Sequence, residues 1–124
     1  MSTAFSPNTT CDVYRSGNSP PAAPDVAGVG ILLLAAFDQR EERGEGRDKS
    51  FRYTHLVYCD LASDIRDGWS ETPPFGSADT IYVPDRNGTP FRVVYVERTG
   101  YGGTTDCRRA YVDRKQPTWP TNEV

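Results

Sequence analysis

Glycines and prolines interrupt this sequence so often that a long helix has no room to form. The 124 residues include 11 glycines and 10 prolines. Inside a helix a glycine costs about 1 kcal/mol relative to alanine, and a proline costs about 3 kcal/mol. Between these interruptions, apolar and polar residues alternate over short segments, which is the pattern of half-buried strands. The sequence therefore predicts a mainly β fold made of short strands and many turns.

Alternation and turn residues place about six strands at 10–15, 26–37, 51–60, 79–83, 91–98 and 106–114. The segment 51–60 alternates most regularly, and one of its faces carries Phe51, Tyr53, His55, Val57 and Cys59. The pair Asn87-Gly88 predicts a hairpin between the fourth and fifth strands. We expect the sixth strand to pair antiparallel with the fifth. Gly28 and Gly30 allow a bulge or bend in the second strand, of the kind that a barrel corner uses.

A chain of this length can bury roughly two-thirds of the surface that it exposes when unfolded, which is enough for one core. We therefore expect a single domain over residues 1–124. Its predicted architecture is a small antiparallel β-barrel or sandwich of about six strands, with two long loops and flexible termini. Residues 1–9 are expected to form a flexible arm, 10–114 the barrel and 115–124 an extended tail anchored by Trp119.

The two long loops follow from composition. Residues 38–50 are nearly all charged or glycine, so they lack the apolar surface that repays ordering and are predicted to be a mobile loop. The second loop, 61–78, contains Asp-Gly, Pro-Pro and Phe-Gly pairs that are typical of turns. Its aromatic residues Trp69 and Phe75 are expected to hold it against the barrel.

Charge and cysteine content narrow the class of protein. The net charge is −3 and the pI is about 5.1, so the chain lacks the basic field that non-specific nucleic-acid binding needs. Of its 14 basic residues only Lys49 and Lys115 are lysines, and arginine suits planar pairing with carboxylates at protein interfaces. An odd number of cysteines without a CxxC pair favours a reducing compartment. No secretory signal or membrane-spanning run is apparent.

No combination of residues predicts catalysis. His55 is the only histidine, no nucleophile motif accompanies it, and a half-buried strand histidine is the expected role. Cys11, Cys59 and Cys107 would make a Cys₃His zinc set with His55, but structural zinc sites use closely spaced ligand pairs. Single cysteines on strands are expected to behave as small buried hydrophobic residues.

The acidic and basic clusters also have simple structural explanations. Asp60, Asp64 and Asp67 lack the ligand spacing of a calcium loop, and Arg66 between them predicts a turn with an arginine–carboxylate pair. Asp85 and Glu97 resemble a metal-dependent nuclease only superficially, since no lysine follows Glu97. The basic group is expected to be a solvated or interface face rather than a DNA-binding stripe, and it comprises Arg108, Arg109, Arg114 and Lys115. We therefore expect no enzyme activity, no metal and no cofactor.

The segment DIRDGW, followed by DTIYVPDRNGTPFRVVYVER and a closing strand that ends in YVDR, resembles a known family of phage proteins. These are the head-completion, head–tail connector or stopper proteins of tailed bacteriophages, and the similarity covers roughly residues 51–114. The resemblance implies a non-enzymatic β-barrel protein that forms a homo-oligomeric ring in the virion neck after assembly in the host cytoplasm. Its implied partners are the portal or adaptor protein, the tail proteins and packaged DNA, with no membrane.

The resemblance further implies a long loop that projects into the central channel and helps to retain DNA. The segment 38–50 matches that loop in position, although the same run also fits a solvated insertion. The candidate channel residues are Glu41, Glu42, Arg43, Glu45, Arg47, Asp48 and Lys49. The candidate interface residues are Asp64, Arg66, Asp67, Trp69, Arg108, Arg109 and Trp119. The alternative function is a cytoplasmic β-barrel module that binds nucleic acid or a small ligand.

Overall fold

Backbone hydrogen bonds join six strands edge to edge into one closed antiparallel barrel in a computed structural model, which describes residues 6–43, 49–69, 76–100 and 106–115. The strands in chain order are β1 (Thr9–Tyr14), β2 (Val26–Arg43), β3 (Lys49–Cys59), β4 (Thr80–Val83), β5 (Thr89–Gly100) and β6 (Asp106–Arg114). Their order around the barrel is β1-β2-β3-β6-β5-β4, and β4 pairs with β1 to complete the circle. The predicted mainly β fold is confirmed, and of the two predicted architectures the barrel is the one that forms. Within the described ranges, no helix has the length and apolar character that a membrane span needs.

Apolar side chains from every strand fill the barrel interior. Full burial of a valine or isoleucine side chain contributes about 1.5–3 kcal/mol, so this interior is the main source of stability. The loop between β3 and β4 adds one side chain to it, that of Ile65, which is only 1% exposed. The interior residues include Cys11, Val13, Ile31, Val57, Cys59, Ile81, Phe91, Val93, Cys107, Ala110 and Val112.

The three cysteines are free thiols, and all of them lie in this interior. Burial raises the pKa of Cys11 to about 12 and that of Cys59 to about 11, because apolar surroundings disfavour a thiolate. A buried, protonated thiol packs as a small hydrophobic group, which is the role expected from the sequence. In the part of the chain that the structure describes, no three His, Cys, Asp or Glu side chains are grouped to hold a metal ion.

A second cluster lies on the outside of the barrel, over β5 and β6. Tyr111 stands between Ala110 and Val112 in β6, and both of these neighbours belong to the interior cluster, so Tyr111 faces outward. Around it pack Phe51, with ring centroids 5.3 Å apart, and Tyr53, at 4.8 Å. The single shared face predicted for β3 is therefore wrong: its first half packs on the outer cluster and its second half on the interior. A register shift in the β2–β3 pairing, between Ala35 and Gln39 on β2, accompanies this change.

The prediction of a mobile loop over 38–50 is wrong at both ends. β2 continues to Arg43 and β3 begins at Lys49, with pairs from Gln39↔Tyr53 to Arg43↔Lys49. Charged residues carry the same backbone donors and acceptors as any others, so they can extend a hairpin whose base is already held by buried aromatic rings. Residues 44–48 lie outside the described part of the chain.

The extended part of this hairpin has no further strand neighbour among the described residues. β1 pairs with β2 only as far as Ile31, and β6 pairs with β3 only between His55 and Cys59. Beyond these points, residues 36–43 and 49–54 form a two-stranded ribbon, and we use that name for them below.

The prediction of a flexible arm over residues 1–9 is wrong at its C-terminal end. The Asn8 side chain donates to the Leu33 carbonyl at 3.1 Å and accepts from the Leu33 N–H at 3.0 Å. Thr9 already belongs to β1 and pairs with Ile31. An amide side chain can continue the ladder in this way because its two ends mimic a peptide group. Residues 1–5 and, in the predicted tail, 116–124 are outside the described ranges.

Candidate functional site

The pairing of β4 with β5 ends at Thr80↔Arg92, where β4 begins. Strand β5 continues beyond Arg92 without β4 beside it. The loop between β3 and β4 covers the edge of β5 beyond that point. The Asp79 carbonyl accepts a hydrogen bond from the Val93 N–H at 3.0 Å, and Asp67 Oδ2 accepts one from the Val96 N–H at 2.6 Å. The loop thus completes this side of the barrel wall, and it satisfies backbone donors that a missing strand would leave unpaired.

Asp67 also orders the loop itself. Its second oxygen, Oδ1, accepts a hydrogen bond from the Trp69 N–H at 3.1 Å, which is the local turn that an aspartate favours. Trp69 then packs edge-on against Tyr95, with ring centroids 5.0 Å apart, as part of the outer cluster. The expectation that Trp69 holds this loop against the barrel is confirmed, whereas Phe75, predicted to act with it, lies outside the described residues.

An ion-pair network fixes the two ends of the loop to each other and to the end of β1. Asp79 is fully buried, and its Oδ2 accepts hydrogen bonds from the Arg66 N–H at 2.8 Å and from Arg15 Nη1 at 2.6 Å. Arg15 Nη2 reaches Asp64 Oδ2 at 2.6 Å. Arg66 binds Asp64 with two nitrogens, at 2.9 and 3.2 Å. The arginine–carboxylate pair predicted for this turn is confirmed.

The pKa values of two carboxyl groups in this network, Asp64 and Asp79, are shifted in opposite directions. Burial raises the pKa of Asp79, because its charged form is removed from water. The hydrogen bonds from the Arg66 guanidinium lower the pKa of the exposed Asp64 carboxyl. Asp79 Oδ1 is buried without a hydrogen-bond partner among the described residues, which fits a carboxylate for which ionisation is unfavourable.

An open cleft of about 580 Å³ lies between this loop and the far halves of β5 and β6. Leu61 of the loop and Val96 of β5 give the cleft an apolar wall, and Ile65, whose side chain fills the barrel interior, borders it. Leu61 is 38% exposed, so part of this apolar side chain faces solvent. The charged lining comprises Arg66, Asp67, Glu97, Arg98 and Arg108. We call this feature the arginine cleft.

Glu97 is held by donors from the neighbouring strand. Its Oε2 accepts hydrogen bonds from Arg109 Nε at 2.9 Å, from Arg109 Nη2 and from the Tyr111 hydroxyl at 2.8 Å. Arg109 also lies over the Tyr111 ring, with its Cζ 5.3 Å from the centroid. This cross-strand arrangement follows from the pair Glu97↔Arg109 in the β5–β6 register, and it uses the planar geometry for which arginine is favoured.

The structure brings four of the predicted interface residues together. Arg66, Asp67 and Arg108 line the arginine cleft, and Asp64 lies beside it as the partner of Arg66. Of the others, Arg109 and Trp69 belong to the neighbouring outer surface, and Trp119 lies outside the described residues. The predicted channel residues Glu41, Glu42 and Arg43 end β2, Lys49 begins β3, and Glu45, Arg47 and Asp48 are not among the described residues.

Sequence reasoning missed Arg15, Leu61, Glu97 and Arg98 as parts of this region. Leu61 and Arg98 carry no local signal, because they join the cleft only when the loop folds over β5. Arg15 offered a weak signal, since an arginine directly follows β1 and precedes a turn. Glu97 was considered as a nuclease carboxylate, but its donors are Arg109 and Tyr111.

His55 lies away from these groups. Its Nδ1 is 2.9 Å from the Thr54 hydroxyl, and its ring packs edge-on against Phe91 with centroids 4.9 Å apart. Burial, with a smaller contribution from the Arg114 charge, lowers its pKa. These contacts are those of the half-buried strand histidine that the sequence predicted.

The fold and the cleft together define a class: a small closed antiparallel barrel with a loop-walled, arginine-lined cleft and a protruding charged ribbon. Comparison of the chain with protein-family models, with curated proteins and with solved structures yields no match. The function is therefore proposed from the geometry of the chain together with the resemblance drawn from its sequence.

Proposed function

We propose that this chain is a non-enzymatic structural protein of the bacteriophage head-to-tail interface, which assembles as a homo-oligomeric ring in the virion neck. Its partners there are the portal or adaptor protein and the tail proteins. The observation that best supports an assembly role is the ribbon, residues 36–43 and 49–54, in which each strand pairs only with the other among the described residues. The family resemblance of residues 51–114 supplies the particular setting.

A ribbon of this kind is suited to contact with another protein chain. A two-stranded segment gains stability from a further strand, and the edge of a sheet is where another chain can pair. Another chain can stabilise the ribbon by adding a strand to either edge. The sequence of its β2 half, DQREER over residues 38–43, keeps such an edge soluble until the correct neighbour is met.

In a ring, identical ribbons approach one axis or reach from each subunit to the next. The run 41–49 contains both acidic and basic residues, which allows neighbouring copies to attract one another rather than repel. The ribbon takes the place that the loop had in the hypothesis drawn from the sequence. Contact with packaged DNA near the ribbon tip is part of the same proposal.

Sedimentation velocity and negative-stain imaging of the purified chain test the assembly role. The proposal predicts a closed oligomer that forms as concentration rises. A matched variant replaces residues 42–50 with Asn-Gly, which makes a two-residue hairpin turn and keeps the pair Glu41↔Phe51 and the aromatic cluster. We expect this variant to retain the barrel by circular dichroism but to remain monomeric.

Two results would contradict the proposal. If the full-length chain stays monomeric at every concentration, it does not form a ring by itself. If the trimmed variant assembles as well as the full chain, the ribbon does not form the contact between subunits. The rival function, a barrel module for nucleic acid or a small ligand, instead predicts a monomer that binds a single-stranded oligonucleotide or a metabolite with a saturable signal.

A further inference from the structure

The two acidic residues that line the arginine cleft, Asp67 and Glu97, already accept hydrogen bonds within the chain. Both oxygens of Asp67 accept backbone hydrogen bonds, from Val96 and Trp69. Glu97 accepts three hydrogen bonds from Arg109 and Tyr111. The donors in these hydrogen bonds are backbone N–H groups, Arg109 and Tyr111, and none of them is an arginine that lines the cleft.

Two of the three lining arginines have carboxylate partners of their own. Arg66 binds Asp64 with two nitrogens, and Arg98 binds Asp106 through Nε at 3.0 Å. Both pairs are on the rim of the cleft, where the arginine side chains are 63% and 69% exposed. The remaining arginine of the lining is Arg108.

Arg108 is half-buried, and its contact among the described residues is with the Ile65 carbonyl, 3.5 Å from Nη1. This distance is at the limit of a hydrogen bond, whereas a guanidinium carries five donors in a fixed planar fork. No carboxylate in the described part of the chain lies within ion-pair distance of it. The apolar side chains of Leu61 and Val96 line the same cleft, so they can pack against the methylene groups of a side chain bound there.

We propose that the arginine cleft binds a carboxylate side chain of a partner protein, with Arg108 as the group that recognises it. The two oxygens of a carboxylate match the guanidinium fork. The methylene groups of a glutamate can at the same time cover the exposed Leu61. This inference does not depend on ring formation, since any acidic segment of suitable shape satisfies it.

A protein carboxylate fits the cleft better than a nucleic acid does. Asp67 and Glu97 form part of the wall, and Asp64 and Asp106 lie at the rim, so the successive phosphates of a polyanion meet repulsion on several sides. Among the described residues, no aromatic side chain lines the cleft, so this part of the chain offers no platform on which a base can stack. A single carboxylate brings only one negative charge, which can be placed at Arg108, and it needs no stacking platform.

The test uses small blocked probes and NMR of the full chain labelled with ¹⁵N. N-acetyl-glutamate α-amide presents the proposed side chain, N-acetyl-glutamine α-amide is its neutral match, and inorganic phosphate is a free anion. We expect the glutamate probe to shift the Arg108 Nε–Hε signal and the Ile65 and Val96 amides in a saturable way. For so small a ligand, the expected Kd is on the order of millimolar.

Two variants connect the signal to Arg108. Arg108→Gln should weaken the glutamate probe roughly tenfold to a hundredfold, because a charge-assisted hydrogen bond contributes that much. Arg114→Gln removes an exposed arginine from the far end of the same strand, and it should leave binding unchanged. Thermal unfolding of both variants checks that the barrel is intact.

Several outcomes would overturn the proposal. One is the lack of a saturable shift with the wild-type chain, which is informative even if Arg108→Gln fails to fold. Another is equal binding of the glutamine probe, which means that charge is not recognised. A third is that phosphate binds as tightly as the glutamate probe, or that a single-stranded oligonucleotide displaces the probe. Either result would show that the cleft recognises phosphate rather than a protein carboxylate.

Discussion

Replacing Asp67 with alanine tests whether a loop carboxylate truly substitutes for a strand at the edge of β5. In the structure Asp67 Oδ2 receives the Val96 N–H at 2.6 Å, and Oδ1 receives the Trp69 N–H at 3.1 Å. Alanine removes both acceptors. The Val96 donor then has no strand to pair with on that side, since β4 ends its pairing with β5 at Arg92.

The magnitude follows from those two contacts. A hydrogen bond to a charged acceptor contributes about 1.5–3 kcal/mol, and a buried donor left unpaired loses its solvation as well. The Trp69 contact is longer and water can replace it, so we count the Val96 contact fully and the other in part. We expect Asp67→Ala to lower the free energy of unfolding by about 2–4 kcal/mol, a large share of the stability of a small domain.

Urea unfolding measures this loss, and amide hydrogen exchange locates it. The Val96 amide should exchange faster in Asp67→Ala, because its acceptor is gone. Asp67→Asn should cost less, since its remaining carbonyl oxygen can still accept one of the two hydrogen bonds. Asp60→Ala is the matched control, because Asp60 lies at the start of the same loop and is also half-buried.

The reasoning is refuted if Asp67→Ala costs no more than Asp60→Ala and leaves exchange at Val96 unchanged. That result would mean that the loop is held by its aromatic and apolar contacts alone. It would also mean that the shape of the arginine cleft does not depend on Asp67.

Three further predictions concern the turn before β5 and two buried ionisable groups. Gly88→Ala places a Cβ 2.0 Å from the Val83 carbonyl oxygen and should cost about 3 kcal/mol in urea unfolding, whereas Gly17→Ala, in open space at φ +89°, should cost about 1 kcal/mol; equal losses would refute the steric argument. Asp79 has a raised pKa, so its folded state holds a proton more tightly than the unfolded chain. The wild-type free energy of unfolding should fall relative to that of Asp79→Asn as pH rises from 3.8 through the raised pKa, and parallel pH profiles would contradict this. His55 has a lowered pKa, so its contribution has the opposite sign. Stability present above pH 6.5 should be lost as pH falls through the lowered pKa, and His55→Gln should remove that loss; an unchanged acid slope would count against it.

Local sequence patterns located most of the strands and the turn that joins two of them. The sixth strand runs over the predicted residues 106–114, and the hairpin around Asn87 and Gly88 forms between the predicted partners. These features depend on side-chain alternation and on turn chemistry, which are properties of neighbouring residues. The glycine itself is required for another reason: Gly88 is crowded by the Val83 carbonyl, a contact that only the folded turn creates.

The prediction for residues 38–50, made from composition alone, is wrong because a high density of charge does not prevent a hairpin from continuing beyond a well-packed base. Phe51 and Tyr53 anchor that base on an outer cluster that includes residues of β5, β6 and the loop after β3. The arginine cleft has the same origin. Arg66 and Arg108 are separated by more than 40 residues, and they meet because the loop after β3 replaces a strand beside β5.

The sequence by itself determined the class of fold, since the period of two and the spacing of glycine and proline belong to each segment on its own. The tertiary structure decided which strands extend beyond the barrel, which charges are matched by partners, and that Arg108 lies in a cleft beside apolar side chains. Those features depend on barrel closure and on contacts between distant segments, which no local pattern encodes.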